Sequence, residues 1–377
     1  MKIFQILPEL NSGGVELCVM ELSKYFASQG HEAVIISNGG RMVESLAAIG
    51  VRHIAMPVHR KSLASLLQVR RMRKLLEEEK PDIVHIHSRV PGWITYLAWR
   101  NMDPQTRPRL VSTVHGFYSV SPYSAVMTKG ERVVAVSEGI SDYIFKNYPK
   151  ADPAKTQVIY GGIDPAEYSP NFSPASEWLN QWHEDQKQLS GKIVLLLPGR
   201  ITRWKGQEDF IQLIAHLRNN GMNVHGLMAG ETHVKKANFE AELRELAERL
   251  GVSADVTFLG NRRDLKEVMA VSDLVLSLSH DPEAFGRVSL EAMALGKPVV
   301  AYDHGGVREQ LKGIFPQGLV EPNNQAAVLA KTMEMLNSRE QPNLDGKFTL
   351  LHMLESNLAI YQELTSTPSS QCVSLHK

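Results

Sequence analysis

The sequence predicts an α/β protein made of two doubly wound, Rossmann-like domains that face each other across a cleft. Short apolar runs alternate with amphipathic helical patterns along most of the 377 residues, and this alternation is typical of parallel sheets covered by helices on both faces. It is interrupted between Gly161 and Ser190, where Pro, Asn, Ser and Trp are frequent. The chain is long enough for a core on each side of this interruption.

Strands and helices alternate in the same way in both halves. The strands predicted in the first half are Ile3–Leu7, Ala33–Ser37, His53–Met56, Ile83–His87, Leu110–Val114 and Val133–Val136, and the helices are Val15–Ser28, Leu63–Glu79 and Gly139–Lys146. The strands predicted in the second half are Ile193–Leu197, Val224–Ala229, Val256–Leu259, Leu274–Leu278 and Val299–Ala301. The helices predicted there are Gln207–Arg218, Phe239–Leu250, Leu265–Ala270, Val288–Leu295, Gln325–Asn337 and Phe348–Leu364. Ligands bind at the carboxyl ends of parallel strands, so residues that follow a strand are the candidates for function.

The pattern also predicts where the domains begin and end. We expect a first domain over residues 1–165, an inter-domain connection over 166–190 and a second domain over 191–340. A C-terminal helical segment would then span 341–366, and a flexible tail would span 367–377.

Composition and charge exclude several classes of protein. The chain has 41 Lys and Arg residues and 41 Asp and Glu residues, so no global field attracts it to nucleic acid. Cys18 and Cys372 are far apart and form no metal-binding spacing, which fits a reduced cytoplasmic setting. The apolar run at the N-terminus is too short for a signal peptide, and no run is long enough to span a bilayer. We therefore expect a cytoplasmic protein whose membrane contact, if any, is peripheral.

Two loops of the first half carry candidate ligand-binding residues. Gly13 and Gly14 follow the first strand and permit close approach to an anionic or sugar group, although a plain turn explains them equally well. Neither Gly-x-Gly-x-x-Gly nor Gly-Lys-Ser/Thr is present there, so NAD and ATP binding lose support. His115 ends a strand and precedes Gly116, a position suited to hydrogen-bonding a sugar hydroxyl or carrying a proton. A purely structural histidine is the alternative.

His85 and His87 alternate along one strand and therefore share a face of the sheet. Such a pair raises the question of a metal site. No third ligand stands at a suitable distance in the sequence, so we expect no metal at this position.

The strand Ile193–Leu197 leads into a basic loop that contains Arg200, Lys205 and two glycines. An arginine binds two phosphate oxygens at once, and a lysine supplies a movable point charge. Together they would neutralise a diphosphate leaving group without a divalent metal. A solvated basic loop is the alternative.

Glu283 and Glu291 are the most informative pair in the chain. The segment Val288–Leu295 is apolar on nearly every side and predicts a buried helix, in which Glu291 needs a partner. Glu283 lies in the loop before this helix, and Gly286 would let a ligand approach the backbone. The positive end of the helix suits phosphate and the carboxylates suit hydroxyls, which favours a nucleotide sugar. A buried helix with Glu291 in a structural salt bridge is the alternative.

Two further loops are expected in the same cleft. Arg262 belongs to Gly260–Arg263, which follows a strand and would bind a base through its backbone. Gly305 and Gly306 follow the strand Val299–Ala301 and would form another loop that a ligand approaches closely.

Together these motifs resemble those of family 4 retaining glycosyltransferases with the GT-B fold. The most specific is Glu-x7-Glu, matched by Glu283 and Glu291. Supporting motifs are Gly13-Gly14, Val134–Glu138, Ile159–Asp164, Gly199-Arg200 with Lys205-Gly206, and Gly305-Gly306 with Glu309. The resemblance extends from about Lys2 to about Leu336, and its one mild departure is Gly161, where the family usually has Asn.

The resemblance implies a role for each candidate residue. Arg200 and Lys205 would bind the donor diphosphate, and Glu291 would hold the ribose hydroxyls. Glu283 would contact the donor sugar near its reacting carbon, and His115 would reach that sugar from the other domain. Phe285 and Gly286 would lie against phosphate and sugar, and Gly14 would lie near phosphate or acceptor. Arg262 and Arg287 complete the residues predicted to bind the donor. The C-terminal helix would cross back to the first domain.

The implied reaction moves a sugar from a nucleotide-diphosphate sugar, UDP-sugar or GDP-sugar, to a hydroxyl of a glycan or lipid-linked acceptor. It would retain the anomeric configuration and need no cofactor or metal. The Phe-Gly-Arg-Val variant of the motif resembles bacterial enzymes that build lipopolysaccharide or other envelope polysaccharides. An inactive glycosyltransferase-like scaffold and a sugar-nucleotide epimerase of similar fold are the alternatives.

A basic stretch in the first half predicts a surface that binds anionic membranes. Seven cations and no acid fall between Glu44 and Glu77, namely Arg52, Arg60, Lys61, Arg70, Arg71, Arg73 and Lys74. Apolar residues interleave with them, and several basic residues near an anionic leaflet suffice for reversible binding. An ordinary surface helix that packs on the sheet is the alternative.

Overall fold

The computed structural model describes residues 1–11, 13–61, 65–232, 237–338 and 340–366. These residues form two compact units. The first unit contains Met1–Gly161 and the described residues from Leu351 onward, and the second contains Gly162–Leu350. The predicted helix start at Leu63 and the predicted tail 367–377 lie outside the described residues.

Seven parallel strands form the sheet of the first unit within the described part of the chain. They are β1 Lys2–Ile6, β2 Glu32–Ser37, β3 Arg52–Ala55, β4 Ile83–Ile86, β5 Arg109–Val114, β6 Arg132–Ala135 and β7 Thr156–Val158. Their order across the sheet is β3-β2-β1-β4-β5-β6-β7. The direction of winding reverses between β1 and β4, the position at which open α/β sheets bind ligands.

Helices lie along this sheet as expected for a doubly wound fold. They are α1 Gly14–Ser28, α2 Ser65–Glu79, α3 Arg89–Arg100 and α4 Glu138–Asn147. The start of α4 is fixed by Ser137, whose hydroxyl accepts a hydrogen bond from the Ile140 N–H at 3.2 Å. Such caps account for a helix beginning directly after a strand end.

The second unit repeats the architecture with a six-stranded parallel sheet among its described residues. Its strands are β8 Ile193–Pro198, β9 Val224–Ala229, β10 Val256–Gly260, β11 Leu274–Ser277, β12 Val299–Tyr302 and β13 Leu319–Val320, in the order β10-β9-β8-β11-β12-β13. Its helices are α5 Ser176–Asp185, α6 Gln207–Asn219, α7 Ala237–Arg249, α8 Leu265–Ala270, α9 Arg287–Ala294, α10 Gly305–Ile314 and α11 Gln325–Asn337. Here the winding reverses between β8 and β11.

The C-terminal helix α12, Leu350–Ser366, belongs to the first unit from Leu351 onward. Its Tyr361 is fully buried, and its Glu363 pairs with Arg132 at the start of β6. The return of this helix to the first domain, which the resemblance implies, is therefore confirmed.

The fold differs from the sequence-based prediction where short or glycine-rich elements occur. The strands β7 and β13 have only three and two residues, too few for a periodic pattern. The helix α3 was not predicted, because its first turn contains Pro91 and Gly92. A proline is tolerated there because the first N–H groups of a helix lack partners in the helix. The segment 166–190, expected as a connection, lies in the second unit and contains α5.

Candidate active site

The predicted basic loop and the loop of Glu283 lie side by side at the winding reversal of the second sheet. The first follows β8 and the second follows β11, and these strands are hydrogen-bonded neighbours. The His280 N–H donates to the Trp204 carbonyl at 2.7 Å, which joins the two loops directly. Residues almost eighty positions apart thus meet at the place where such sheets bind ligands.

An ion pair forms the centre of this arrangement. Lys205 Nζ lies 2.9 Å from Glu283 Oε1, and the two side chains are only 13% and 14% exposed. The Ser279 hydroxyl donates to the same carboxylate oxygen at 2.6 Å, and the Lys205 ammonium lies 4.4 Å from the Trp204 ring centroid. Such a sheltered contact positions the Lys205 ammonium beside the Glu283 carboxylate.

The shape of the basic loop depends on Gly206. This residue has a left-handed φ of 76°, and a Cβ there would lie 2.0 Å from the Leu278 carbonyl oxygen. A side chain at this position would push the loop away from the end of β11. Gly206 therefore brings Lys205 into reach of Glu283.

Arg200 differs from Lys205 in being available to a ligand. Its side chain is exposed and makes no ion pair or hydrogen bond with the described residues. Its carbonyl accepts a hydrogen bond from Gln207 Nε2 at 3.0 Å, which holds the backbone in place. The loop thus offers one exposed guanidinium beside one paired ammonium.

Glu291 lies on α9 with only 9% of its surface exposed. Arg287, one turn earlier, places its Nε 2.9 Å from Glu291 Oε1. The structural salt bridge that the sequence left open is therefore present, and it gives the buried carboxylate the partner that it requires. Arg287, predicted to bind the donor, contacts Glu291 in this structure.

The glycines around α9 serve the packing of the protein. Gly286 caps α9 with a φ of 89°, and a Cβ there would lie 2.3 Å from Val307 Cγ2. At Gly305 and Gly306 a Cβ would lie 2.5 Å from the Glu283 carbonyl oxygen and 2.6 Å from that of Ala284. The prediction that these last two glycines open a loop to a ligand is wrong, because the backbone before α9 occupies that space.

The start of α10 instead supports the loop that carries Glu283 and Phe285. The Gly306 N–H donates to the Glu283 carbonyl at 2.7 Å, and Gln310 Nε2 donates to the Phe285 carbonyl at 2.7 Å. Both bonds fix the backbone on which the Glu283 side chain is mounted. Contacts of this kind hold a side chain in a defined position.

A second cluster, which the sequence did not reveal, surrounds Asp209 at the start of α6. Its carboxylate lies 2.8 Å from His280 Nε2, accepts from the Tyr302 hydroxyl at 2.6 Å and accepts from Gln325 Nε2 at 3.1 Å. Burial, and then the neighbouring carboxylate, raise the pKa of Tyr302, so its hydroxyl remains a donor. His280 follows Ser279 in the chain, and this cluster therefore supports the residue that binds Glu283.

Arg262 has a protein partner in this structure. Its Nε and Nη2 lie 2.8 Å and 2.5 Å from the two carboxylate oxygens of Asp264, and Trp178 Nε1 donates to the same carboxylate at 2.8 Å. The guanidinium of Arg262 thus forms a fork with Asp264. Its predicted contact with a base, through the backbone of residues 260–263, stays a prediction.

The predicted residues of the first unit lie at the carboxyl ends of its strands. Gly14 begins α1, and a Cβ added to it would meet no atom within 4 Å. His115 follows β5, and its Nε2 lies 3.0 Å from His87 Nδ1. Burial lowers the pKa of His115 to about 4, so its imidazole is neutral at pH 7. Over the described ranges, no group of three or more His, Cys, Asp or Glu residues is arranged to hold a metal ion.

A cationic aromatic cluster also lies in the first unit, and we define it as Lys61, Arg89, Tyr118 and Tyr123. The Arg89 guanidinium lies 4.7 Å from the Tyr118 ring centroid and 5.8 Å from that of Tyr123, and Lys61 Nζ lies 4.3 Å from the latter. Neither cation forms a salt bridge with a described acidic residue. Sequence reasoning missed this cluster because its members come from three separate segments.

Both halves of the chain match known families of glycosyltransferases. Residues 180–346 match the family described as Glycosyl transferases group 1, and residues 12–167 match the one described as Glycosyltransferase Family 4. The crystal structure of a glycosyltransferase from Rickettsia africae ESF-5 is similar, with a TM-score of 0.83 and 31% identity over 96% of this chain and 98% of that one.

Two further proteins are similar at lower identity. The N-acetyl-alpha-D-glucosaminyl L-malate synthase of Bacillus anthracis is 26% identical over 349 residues, which are 87% of this chain and 86% of the relative. Anabaena Alr3699/HepE, solved in complex with UDP and glucose, has a TM-score of 0.76 and 22% identity over 96% of this chain and all of that one. At 22% identity, the likeness to the Anabaena protein is a likeness of fold.

Proposed function

Because the chain belongs to the group 1 glycosyltransferases of GT-B fold, we propose that it transfers a sugar from UDP-sugar or GDP-sugar with retention of the anomeric configuration. The observation that carries this proposal is the pairing of Lys205 with Glu283 beside the exposed Arg200. Cations and a carboxylate at the winding reversal suit a diphosphate and the hydroxyls of the attached sugar. The Anabaena neighbour, solved with UDP and glucose, supports this class of donor.

In this proposal the protein stabilises charge rather than forming a covalent bond. The acceptor oxygen attacks the anomeric carbon on the face from which the diphosphate departs. The bond from that carbon to the diphosphate breaks, and the departing phosphate oxygen takes the proton of the acceptor hydroxyl. Arg200 and Lys205 bind the charge that develops on the phosphate, which is where fixed cations are most effective.

In this proposal the Glu283 carboxylate exchanges one partner for another, the Lys205 ammonium for a hydroxyl of the donor sugar. Without a donor its carboxylate holds Lys205. When a diphosphate attracts Lys205, the carboxylate keeps the Ser279 hydroxyl and becomes available to a hydroxyl of the donor sugar. Glu291 would bind the ribose hydroxyls, with Phe285 and Gly286 against the phosphate and sugar.

Arg200 and Lys205 would neutralise the leaving diphosphate, as a divalent metal ion does in other glycosyl transfers. We therefore expect that activity survives EDTA, with turnover within about twofold of the untreated enzyme, because the leaving phosphate is neutralised by Arg200 and Lys205. The measurement is nucleoside diphosphate release before and after dialysis against EDTA. Complete loss of release that Mg²⁺ or Mn²⁺ restores would contradict the proposal.

On the acceptor side we propose a glycan or lipid-linked molecule that carries an anionic group. The cationic aromatic cluster supplies two ring faces and two cations that pair with no described acidic residue, and this combination suits a phosphate or carboxylate joined to a sugar. Phe117 and Val120, in the loop that carries Tyr118, are exposed and add an apolar surface. The name of the Bacillus anthracis relative includes L-malate, a dicarboxylic acid, which supports an anionic acceptor.

We place the reaction in bacterial lipopolysaccharide or envelope polysaccharide synthesis, on the strength of the Phe-Gly-Arg-Val variant of the donor motif. The acceptors of such pathways are built at a membrane, so docking on an anionic leaflet would bring enzyme and acceptor together. Within the described ranges, no helix has the length and apolar character needed to cross a membrane.

The helix α2 has one face suited to docking on an anionic leaflet. Leu67 is 64% exposed, and Arg70, Arg71 and Lys74 follow it at helical spacing and are exposed as well. Arg52, which the sequence grouped with them, lies instead in an ion network, 2.7 Å from Glu79 and 3.2 Å from Glu32. It therefore belongs to the edge of the sheet and has no part in the proposed surface.

We expect wild-type protein to co-sediment with vesicles that contain anionic lipid and to be released by high salt. Each basic residue near the leaflet contributes on the order of 1 kcal/mol, so Arg70→Gln with Arg71→Gln should weaken binding by about tenfold or more. Arg52→Gln is the matched control, because its cation is held by two carboxylates. Failure of the wild type to bind anionic vesicles at low salt would contradict docking and favour a soluble acceptor.

Product analysis tests the proposed reaction as a whole. UDP-sugars and GDP-sugars are supplied with phosphorylated sugars or lipid-linked glycans, and nucleoside diphosphate release and the anomeric configuration of the product are measured. We expect acceptor-dependent release and a product with the anomeric configuration of the donor. Inversion at the anomeric carbon would contradict the retaining mechanism.

A further inference from the structure

A continuous chain of hydrogen bonds runs through the core of the first unit and ends at His115. The distances along it are 2.7 Å from Thr113 Oγ1 to His85 Nε2, 2.6 Å from His85 Nδ1 to the Tyr361 hydroxyl, and 3.1 Å from that hydroxyl to Gln5 Nε2. It continues with 2.5 Å from Gln5 Oε1 to His87 Nε2 and 3.0 Å from His87 Nδ1 to His115 Nε2. We call this set the imidazole chain.

The topology of the sheet explains how these residues meet. Gln5 and His85 are directly opposite each other in the parallel register of β1 and β4. His85 and His87 are two positions apart and so share one face, with their ring centroids 4.1 Å apart. The helix α12 covers this face and places Tyr361 against it.

All members of the imidazole chain except the half-buried His115 are shut off from solvent. Gln5, His85 and Tyr361 are 0% exposed, His87 is 1% exposed and Thr113 is 4% exposed. Burial, together with the neighbouring imidazoles, lowers the pKa of His85 to about 3 and that of His87 well below its usual range. The rings are therefore neutral at pH 7, and each carries one proton on one of its two nitrogens.

One amide sets the direction of every proton in the chain. Gln5 donates from Nε2 to the Tyr361 oxygen. The buried Tyr361 hydroxyl satisfies its own proton by donating to His85 Nδ1, and the neutral His85 then donates from Nε2–H to Thr113. On the other side Gln5 Oε1 accepts from His87 Nε2–H. His87 Nδ1 then carries no proton and accepts from His115 Nε2–H.

We propose that Tyr361, through Gln5 and His87, holds His115 in its Nε2–H tautomer, so that the bare Nδ1 accepts a hydrogen bond from a hydroxyl of the donor sugar. Tyr361, Gln5 and His87 are thus positioning residues for His115. This inference rests on the proposed function and on the contact between His115 and the donor sugar that the resemblance implies. A neutral ring with a fixed tautomer has its acceptor in place before the sugar arrives, which limits the reorganisation that binding requires.

The chain also gives α12 a function in addition to packing. Its Tyr361 is separated by 356 positions from Gln5, yet the two are hydrogen-bonded. Loss of the Tyr361 hydroxyl would leave the Gln5 amide without its acceptor and free to reverse. Reversal would invert the chain and move the His115 proton to Nδ1, turning the proposed acceptor into a donor.

The tautomer of His115 is measured by NMR on protein labelled with ¹⁵N-histidine. The His115 signals are assigned as those that disappear in the spectrum of His115→Gln. We expect a protonated Nε2 and a pyridine-like Nδ1 for His115 in the wild type. In Tyr361→Phe we expect a mixture of both tautomers or the opposite one. A protonated His115 Nδ1 in the wild type, or a His115 tautomer unchanged in Tyr361→Phe, would overturn the proposal.

Kinetics with the whole enzyme test the consequence of the tautomer. We expect Tyr361→Phe to lower kcat/KM for the natural donor by about three- to tenfold, the size of one neutral hydrogen bond. Donor analogues that each lack one sugar hydroxyl should include one whose kcat/KM is not lowered by the substitution. Tyr96→Phe is the matched control, because its ring packs on Trp93 and Trp99 in the same unit, outside the imidazole chain.

These measurements separate failure of the inference from failure of the proposed function. If no donor is turned over by wild-type protein, the proposed function fails, whereas the NMR experiment still reports the tautomer. If transfer is normal and Tyr361→Phe lowers kcat/KM equally for every analogue, or not at all, the link from Tyr361 to sugar recognition is wrong. Equal melting temperatures of Tyr361→Phe and Tyr96→Phe would exclude unfolding as the cause of an effect.

Discussion

Lys205→Ala is expected to lower kcat/KM for the nucleotide sugar by about tenfold to over a hundredfold. The substitution removes a charged hydrogen bond in a sheltered site, an interaction of roughly 1.5–3 kcal/mol. It removes the ammonium that would bind the departing diphosphate, and it leaves the Glu283 carboxylate with the hydrogen bond from the Ser279 hydroxyl. Steady-state kinetics of nucleoside diphosphate release measure the effect.

Lys192→Ala is the matched control for this prediction. Lys192 forms an ion pair of similar geometry with Asp255, at 2.8 Å and with side chains 20% and 10% exposed, in the same unit. It lies at the opposite end of β8 from the basic loop. We expect Lys192→Ala to lower the melting temperature while kcat/KM stays within about twofold of the wild type. Equal losses of kcat/KM in both variants would show that Lys205 acts through stability alone.

Glu283→Gln is expected to reduce kcat by about tenfold to over a hundredfold with little change in the melting temperature. Glutamine has the same shape and still accepts from the Ser279 hydroxyl. It has no charge with which to hold Lys205 or to bind a sugar hydroxyl strongly. Turnover measured at saturating donor separates this loss from a loss of donor binding.

Asp255→Asn provides the corresponding control for the carboxylate. Asp255 pairs with Lys192 and Arg218, at 2.8 Å and 3.1 Å, away from the candidate site. We expect a loss of stability and an unchanged kcat in this variant. Turnover near that of the wild type in both Glu283→Gln and Glu291→Gln would remove these carboxylates from the mechanism.

The strands of both sheets were predictable because a strand buried on both faces is a continuous apolar run. The burial of β4 and β12 at every position is the physical counterpart of those runs. An edge strand such as β13 has two residues and provides no such signal. The helix α10 was hidden by Gly305 and Gly306, whose low helix propensity is overridden by the close packing that they permit.

The members of the candidate site were predictable, whereas their contacts were not. Arg200, Lys205 and Glu283 were identified by residue type and by position after a strand, and Glu291 was identified by its place on a helix predicted to be buried. The pairing of Lys205 with Glu283 depends on β8 and β11 being neighbours, which is a property of the order of strands. A glycine in the sequence likewise indicates a close approach to the backbone. The sequence does not distinguish a ligand from another segment of the protein as the approaching group.

In the first unit, too, the residues were predictable and their contacts were not. The shared face of His85 and His87 follows from their spacing, so it was visible in the sequence. Their partners Gln5 and Tyr361 come from the two ends of the chain and meet because α12 returns to the first unit. The sequence therefore raised the question of a metal at this face, and the structure places a hydrogen-bonded chain there.

The most direct test of the central claim is the melting temperature of the wild type and of Lys205→Ala with UDP, GDP and ADP. A ligand that binds the native state stabilises it by about 2.7 kcal/mol when its free concentration is about 100 times Kd. We predict that UDP or GDP raises the melting temperature of the wild type by several degrees, and that Lys205→Ala loses most of this increase while Lys192→Ala keeps it. No increase with any of the three nucleotides, or an equal increase in Lys205→Ala, would contradict the assignment of this site to the diphosphate of the donor.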